Sequence, residues 1–200
     1  MAERVAEQST VVETANGGDR RATICKAVCE LLAEVGYDRM TMDAIAAQAK
    51  AGKSTIYRMW PDKPKLVAEA LKTHFGAEVE APDTGSLRGD LMALMESACK
   101  MIDSEAGEVI VGVVTAAAHD AELAQVLNQA MFADKEKVYA ELVRNAAARG
   151  EIRADTDPII VHDVIHSMIS GRRLWNRGPL DDEFVRYVVD DLLIPALTFR

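Results

Sequence analysis

Basic side chains concentrate in one short stretch of the sequence, in which hydroxyl groups lie between them. Sixteen consecutive residues hold five cations and a single acid, Asp62; the cations are Lys50, Lys53, Arg58, Lys63 and Lys65. Lys and Arg neutralise phosphates, and Ser, Thr and Tyr hydroxyls donate hydrogen bonds to phosphate oxygens. The chemistry that this pattern indicates is binding of nucleic acid. The alternative interpretation is a solvated surface that is basic only by chance.

This basic stretch belongs to an acidic chain of 200 residues, in which 23 Lys and Arg face 32 Asp and Glu, for a net charge of −9. Residues 20–72 carry ten basic and six acidic side chains, whereas residues 73–200 carry twelve and twenty-two. Charge asymmetry between segments is a hint of nucleic-acid contact. The overall acidity argues against a histone-like coat protein.

Composition limits the class of protein further. Apolar residues make up 49% of the chain, which is too much for intrinsic disorder. The longest apolar or small run, residues 109–118, is half of the ~20 residues that a membrane span needs. The first ten residues contain no apolar secretory core, and three cysteines show no disulfide spacing. We therefore expect a soluble, cytoplasmic protein.

Apolar periodicity predicts an all-α protein of about nine helices in three segments. Polar residues 1–20 predict a flexible N-terminal arm, residues 21–72 a three-helix domain with the start of a linking fourth helix, and residues 73–200 a larger helical bundle. Within that bundle the predicted helices are 86–103, 106–118, 121–148, 157–176 and 181–198.

The basic stretch itself predicts a helix-turn-helix. Thr41 is placed to cap the second helix, with Met40 and Ile45 as its hydrophobic staple. After a break around residues 50–52, a short third helix runs from about Lys53 to Trp60. A fourth follows with Asp62 as its cap.

A helix fits the major groove of B-DNA if it has an apolar back and a polar front. Ile56 and Trp60, four residues apart, supply the back of the third helix. Its front consists of Lys53, Ser54, Thr55, Tyr57 and Arg58. Lys63 lies near the N-terminus of the next helix, where a cation and exposed N–H groups together suit a phosphate.

Residues 24–71, ICKAVCELLAEVGYDRMTMDAIAAQAKAGKSTIYRMWPDKPKLVAEAL, resemble the N-terminal DNA-binding region of TetR-type bacterial transcriptional regulators. The resemblance implies contacts with base edges or nearby phosphates for Lys53, Ser54 and Thr55. It implies phosphate contacts for Tyr57 and Lys63, and a contact with the DNA backbone for Thr41. Lys50 occupies a turn position that is often Gly in this family. It adds a cation beside the DNA and is expected to accept a left-handed backbone at a cost of about 1 kcal/mol.

A lone helix-turn-helix makes few base contacts, so such proteins usually read two half-sites of a palindromic operator as a two-fold dimer. The resemblance favours a homodimer built from the last two helices. Their apolar faces supply the candidate interface residues Ile165, Ile169, Phe184, Val188 and Leu192. The alternative is that these faces only fill the core of one chain.

The resemblance also implies a small-molecule effector, apolar or amphipathic, that binds between the middle helices and releases a repressor from its operator by a population shift. Candidate pocket residues are Phe75, Met92, Met95, Cys99, His119, Met131, Phe132, Tyr139, His162, His166 and Trp175. Each methionine is alternatively plain core.

Other sites are weaker. His162 and His166 lie four residues apart and could chelate a metal, which leaves a metal-binding regulator as an alternative function. Cys25 and Cys29 lack metal-ligand spacing and are interpreted as buried thiols. No catalytic constellation and no cofactor motif is found, so we expect no enzyme, no cofactor and no resident metal. A helical-bundle protein that does not bind DNA is the remaining alternative.

Overall fold

A computed structural model describes residues 2–75, 80–175 and 177–198, without the side chains of residues 2–18 and 131–135. Every regular element in these ranges is helical, which confirms the all-α prediction. The elements are α1 (Ala2–Arg39), α2 (Met42–Gln48), α3 (Lys53–Met59), α4 (Lys63–Phe75), α5 (Leu87–Ile102), α6 (Glu105–Ala117), α7 (Ala121–Ala148), α8 (Ile159–Leu174), α9 (Asp182–Arg186), a π-helical segment (Tyr187–Leu193) and α10 (Ile194–Thr198). Among the described residues, none of these helices has both the length and the apolar content to cross a bilayer.

The first helix differs from its prediction at its N-terminal end. Residues 1–20 were expected to form a flexible arm separate from the first helix, whereas α1 begins at Ala2. Polar sequence without apolar periodicity gives no signal for such an extension. The flexibility predicted for this segment stays a prediction.

The last three elements follow one another without a break, as the single predicted helix over 181–198 requires. Pro195 gives the reason for the π-helical segment before it. A proline inside a helix lacks an N–H group, and its ring clashes with the carbonyl four residues earlier. In the π-helical segment the backbone hydrogen bonds span five residues instead of four. The Ile194 N–H, for example, donates to the carbonyl of Val189, five residues back.

The chain divides into two compact units. The first contains residues 1–77 and 112–130, and the second contains residues 78–111 and 131–200. The predicted division at residue 72 had not placed residues 112–130 with the N-terminal helices. Leu123 and Leu127, on the first turns of α7, are buried in the structure.

The core of the first unit is apolar and places the helix-turn-helix. α1 buries Ile24, Val28 and Leu31, and α4 buries Val67 and Leu71. These side chains recur at the three- and four-residue spacing that puts them on one face of each helix. α1 and α4 therefore form the scaffold on which the shorter helices α2 and α3 rest.

A buried carboxylate organises the start of α5 in the second unit. Asp90 has no exposed surface, and its Oδ1 accepts hydrogen bonds from the Thr84 N–H (2.6 Å) and hydroxyl (2.8 Å). The Arg149 Nη2 donates to Oδ2 at 2.7 Å. Burial raises the pKa of Asp90, but these hydrogen bonds outweigh burial and hold the pKa below its ordinary value.

We predict that Asp90→Asn destabilises the protein by about 2 kcal/mol at neutral pH, because it removes charge-assisted bonds from a buried site. A carboxylate with a lowered pKa in the folded state stabilises above its unfolded pKa and loses that contribution as pH falls. The difference in unfolding free energy between wild type and Asp90→Asn should therefore shrink below about pH 4. Urea titrations across pH measure it, and a difference that stays constant would contradict the assignment.

Candidate nucleic-acid interface

Helix α3 has the two faces that the sequence predicts. Ile56 and Trp60 are buried, with 1% and 2% of their surface exposed. On the opposite side Lys53, Ser54 and Arg58 are exposed, and Tyr57 keeps half of its surface in solvent. Thr55 is half-buried. A polar front on a helix of seven residues is thus presented to solvent while its apolar back joins the core.

The C-terminal end of α3 is anchored through a single carboxylate. The Trp60 indole Nε1 donates a hydrogen bond to Glu69 Oε2 at 2.8 Å. Arg21 donates to both oxygens of Glu69, at 3.0 and 2.8 Å, and its guanidinium lies 4.9 Å from the centre of the Trp60 ring. Burial by itself raises the pKa of Glu69. The hydrogen bonds from Arg21 and Trp60 outweigh burial, so the pKa lies below its ordinary value. Glu69 therefore stays ionised and joins α1, α3 and α4.

The turn before α3 is a Schellman motif with a lysine in the glycine position. The Ala51 N–H donates to the Ala46 carbonyl at 2.9 Å, and the Lys50 N–H donates to the Ala47 carbonyl at 3.2 Å. Lys50 has a φ of 48°, which confirms the expected left-handed backbone. Arg20 of α1 donates to the Lys50 carbonyl at 2.6 Å and holds the turn against the scaffold.

Helix α2 is fixed at both of its ends. The N–H of Ala44 donates to the Thr41 Oγ1 at 3.2 Å, which confirms the predicted N-cap. Met40 and Ile45, the predicted staple pair, are both buried. The Gln48 amide donates to Glu30 of α1 at 2.9 Å.

The predicted cations do not all point to solvent. Lys53 is exposed and forms an ion pair with Asp43 of α2, with 2.6 Å between Nζ and Oδ1. The Lys63 ammonium instead donates to two backbone carbonyls, those of Tyr37 and Met40. The contacts with DNA stay predictions for all eight candidate side chains, which are Thr41, Lys50, Lys53, Ser54, Thr55, Tyr57, Arg58 and Lys63.

Three of the predicted pocket residues come together in the second unit. The Tyr139 hydroxyl and His166 Nε2 are 2.9 Å apart, and the rings of His162 and His166 lie 4.5 Å apart between centres. Burial raises the pKa of Tyr139 to about 12. Within the described part of the chain, no group of three or more His, Cys, Asp or Glu side chains is arranged to hold a metal ion.

The other pocket candidates lie in several environments. Met95 and Cys99 are buried in the core of the second unit, and Met92 packs partly against it. Trp175 is 73% exposed. Phe75 is half-buried and His119 exposed, both in the first unit, while Met131 and Phe132 lie outside the described side chains. The pocket stays a prediction.

The residues predicted for the dimer interface are mostly covered within one chain. Ile165, Ile169, Phe184 and Val188 are buried in the core of the second unit, and Leu192 alone keeps part of its surface. This burial is what the alternative interpretation expects, in which the inner faces of the last helices fill the core, and the dimer interface stays a prediction. Apolar groups left exposed on the same elements are Ile159, Leu174, Trp175 and Tyr187.

Sequence reasoning missed the side chains that hold α3 in place, namely Arg20, Arg21 and Glu69. One signal could have found Glu69, because the indole N–H of a buried tryptophan needs an acceptor. Glu69 is the only acid on α4 between Lys63 and Phe75. The two arginines gave no comparable signal, since they lie in a polar stretch without periodicity.

This arrangement is the helix-turn-helix of a DNA-binding transcriptional regulator. A family model described as bacterial regulatory proteins, tetR family, matches residues 24–70, and one described as tetracyclin repressor-like, C-terminal domain, matches residues 81–192. Because the second match covers more than half of the chain, the protein belongs to the tetR family.

Relatives along almost the whole length agree with this assignment. A DNA-binding transcriptional repressor, TetR, of Mycobacteroides abscessus is 34% identical over 181 residues, which are 90% of this chain and 95% of the relative. An uncharacterized HTH-type transcriptional regulator of Mycobacterium tuberculosis is 33% identical, with 90% and 88% covered. The crystal structure of a TetR family transcription regulator shares 31% identity and a TM-score of 0.70, with 88% of this chain and 97% of that chain covered.

We predict that Lys50→Gly raises the free energy of unfolding by about 1 kcal/mol, because glycine accepts a positive φ without a steric penalty. Lys50→Ala is the matched control: it removes the same charge but keeps a Cβ in the left-handed region. Urea unfolding of the three proteins measures the effect. Equal stabilities for the Gly and Ala variants would show that this turn carries no strain.

Proposed function

We propose that the protein is a transcriptional repressor that binds a palindromic operator as a homodimer and leaves it when a small apolar or amphipathic effector binds. The observation that carries DNA binding is the division of α3 into a buried back, Ile56 and Trp60, and an exposed front of hydroxyls and cations. The relative from Mycobacteroides abscessus, named as a repressor, supports the direction of regulation.

The way in which α3 would contact DNA follows from the width of an α-helix. An α-helix is about 10–12 Å wide and enters the major groove, where its first residues reach base edges. In this arrangement Lys53, Ser54 and Thr55 face the bases, and Tyr57 contacts the phosphate backbone. Lys53 exchanges its ion pair with Asp43 for a contact with DNA.

Dimerisation is proposed through the outer surfaces of the last helices. Contiguous exposed apolar surface marks interaction sites. Leu174 and Trp175 are 56% and 73% exposed at the end of α8, and Tyr187 is 45% exposed at the start of the π-helical segment. Since the inner faces are filled by the chain's own core, these outer groups are the ones that a second copy would cover.

Effector control is supported by what two structures with the same fold bind. Transcriptional regulator FadR from Bacillus subtilis was crystallised in complex with stearoyl-CoA, at 17% identity and a TM-score of 0.65. A regulator from Saccharomonospora viridis was crystallised with choline, at 20% identity and a TM-score of 0.61. In this chain Tyr139, His162 and His166 are the polar groups that we propose orient an otherwise apolar ligand.

The proposed activity is regulation of transcription in the cytoplasm, where a bacterial chromosome lies, and we propose no catalytic reaction for the protein. The test is to retain genomic DNA fragments on the purified protein and to sequence them. We expect enrichment of fragments with an inverted repeat, and binding that weakens as salt increases, because cations on the protein replace counterions on the phosphates. Retention of no duplex at low salt would contradict the proposal.

We predict that Tyr57→Ala weakens binding to every duplex by about tenfold, because it removes a phosphate contact without changing base contacts. Lys53→Gln should weaken binding and also change which base is preferred in the half-site. Lys100→Gln, which removes an exposed charge in the second unit, is the control and should leave affinity unchanged. Mobility shifts with the selected duplex and its single-base variants measure all three.

If Lys53→Gln and Tyr57→Ala bind every duplex as wild type does, the front of α3 does not face the DNA. If Lys100→Gln weakens binding as much as they do, the effect reflects total charge and not the interface.

A further inference from the structure

The first lysine of α4 points into the protein. The Lys63 Nζ lies 3.0 Å from the Tyr37 carbonyl oxygen and 3.2 Å from the Met40 carbonyl oxygen, and donates to both. The same nitrogen lies 3.9 Å from the centre of the Tyr37 ring. Lys65, two residues further on, is exposed instead and pairs with Asp62 at 2.6 Å. Neighbouring lysines of one helix turn therefore have different environments.

The two carbonyls that Lys63 binds lie within residues 37–40, the segment that follows the kink in α1 and leads into α2, which we call the α1–α2 connection. Gly36, with a φ of 76°, interrupts the helical geometry of α1, and Tyr37 and Met40 follow it. Met40 immediately precedes Thr41, the N-cap of α2. An ammonium group at this point satisfies carbonyl oxygens near a helix C-terminus, where the helix dipole also favours a cation.

The Tyr37 side chain is also held in place by a contact with the residue before α7. Its side chain is 7% exposed, and its hydroxyl donates to the Asp120 Oδ2 at 3.2 Å, just before α7 begins. The partners of Lys63 therefore belong to a packed part of the first unit. If Lys63 were to contact a phosphate, its Nζ would lose the hydrogen bonds to both carbonyls and the contact with the face of the Tyr37 ring.

We propose that Lys63 is a positioning residue for DNA reading, and that it acts by tying the start of α4 to the α1–α2 connection instead of contacting phosphate. The inference rests on the proposed DNA-binding function. Lys63 fixes the position at which α2 begins. The Schellman turn at Lys50 then sets the orientation of α3 relative to α2. Loss of the ammonium changes how α3 meets the groove while every phosphate contact remains available.

The salt dependence of binding separates positioning from phosphate contact. Each phosphate neutralised contributes about 0.9 to the slope of log K against log salt. For Lys63→Gln we expect affinity for the selected duplex to fall about tenfold with an unchanged slope. Arg58→Gln, on the front of α3, is the comparison and should reduce the slope by about 0.9. All titrations are run where circular dichroism shows each variant to be fully folded.

Lys63→Arg supplies a second test. A guanidinium keeps the charge and binds phosphate well, but it is planar and larger than an ammonium, so it fits poorly between two carbonyls and a ring face. We expect Lys63→Arg to bind as weakly as Lys63→Gln. Recovery of wild-type affinity by the arginine variant, or a smaller slope for Lys63→Gln, would overturn the inference. Unchanged affinity in both variants would also overturn it, because the residue would then affect only the fold.

Wild-type protein gives a test that does not depend on the folding of any variant. Acetic anhydride labels exposed lysines, and mass spectrometry reports the label at each position with and without the duplex. We expect Lys63 to be labelled weakly in the free protein, with no change when DNA binds, whereas Lys53 is labelled in the free protein and protected by DNA. Protection of Lys63 only when DNA binds would assign it to the phosphate backbone.

These outcomes differ from failure of the proposed function. If the wild-type chain binds no duplex, the function is wrong. If it binds and the slope falls for Lys63→Gln, only the positioning role is wrong.

Discussion

A helix of seven residues is far below the length at which an isolated helix is stable in water, so the reading surface of this protein depends on what holds α3 in place. Glu69 makes the contact on which the others depend. It is ionised, it accepts the indole N–H of the buried Trp60, and it receives both hydrogen bonds of Arg21 from the first helix. Burial of Ile56 adds apolar stabilisation on the same side.

At its other end α3 is set by backbone geometry. Lys50 adopts a conformation that glycine would adopt at lower cost, and Arg20 binds its carbonyl. The strain is thus compensated by a hydrogen bond from the scaffold helix, and a cation is kept next to the proposed duplex. Among the described residues, Lys53 on the front of α3 has an exposed ion pair with Asp43, and Ser54, Tyr57 and Arg58 are exposed to solvent.

Much of the fold was predictable because it follows from local rules. The α7 bounds, the Thr41 cap and the left-handed Lys50 each depend on a few neighbouring residues and on backbone sterics. The two faces of α3 were predictable for the same reason, since burial on a helix repeats every three to four residues.

What the sequence did not reveal depends on distant contacts. Arg21 and Glu69 are 48 residues apart, and Lys63 and Tyr37 are 26 apart, so no local pattern links them. The Lys63 ammonium binds two backbone carbonyls, a contact that its position at a helix start did not indicate. In the same way, Ile165 and Val188 have the periodicity of an interface but are buried in their own chain, because an apolar helix face does not specify which surface covers it.

The central claim is that α3 lies in the major groove of a duplex, in two copies. Methylation protection of guanine N7, which lies in the major groove, tests it most directly on the duplex that the protein selects. We expect two symmetric protected patches, separated by one turn of about 10 base pairs or a multiple of it, with two chains bound for each such pair. A single patch, or protection confined to minor-groove positions, would contradict the account.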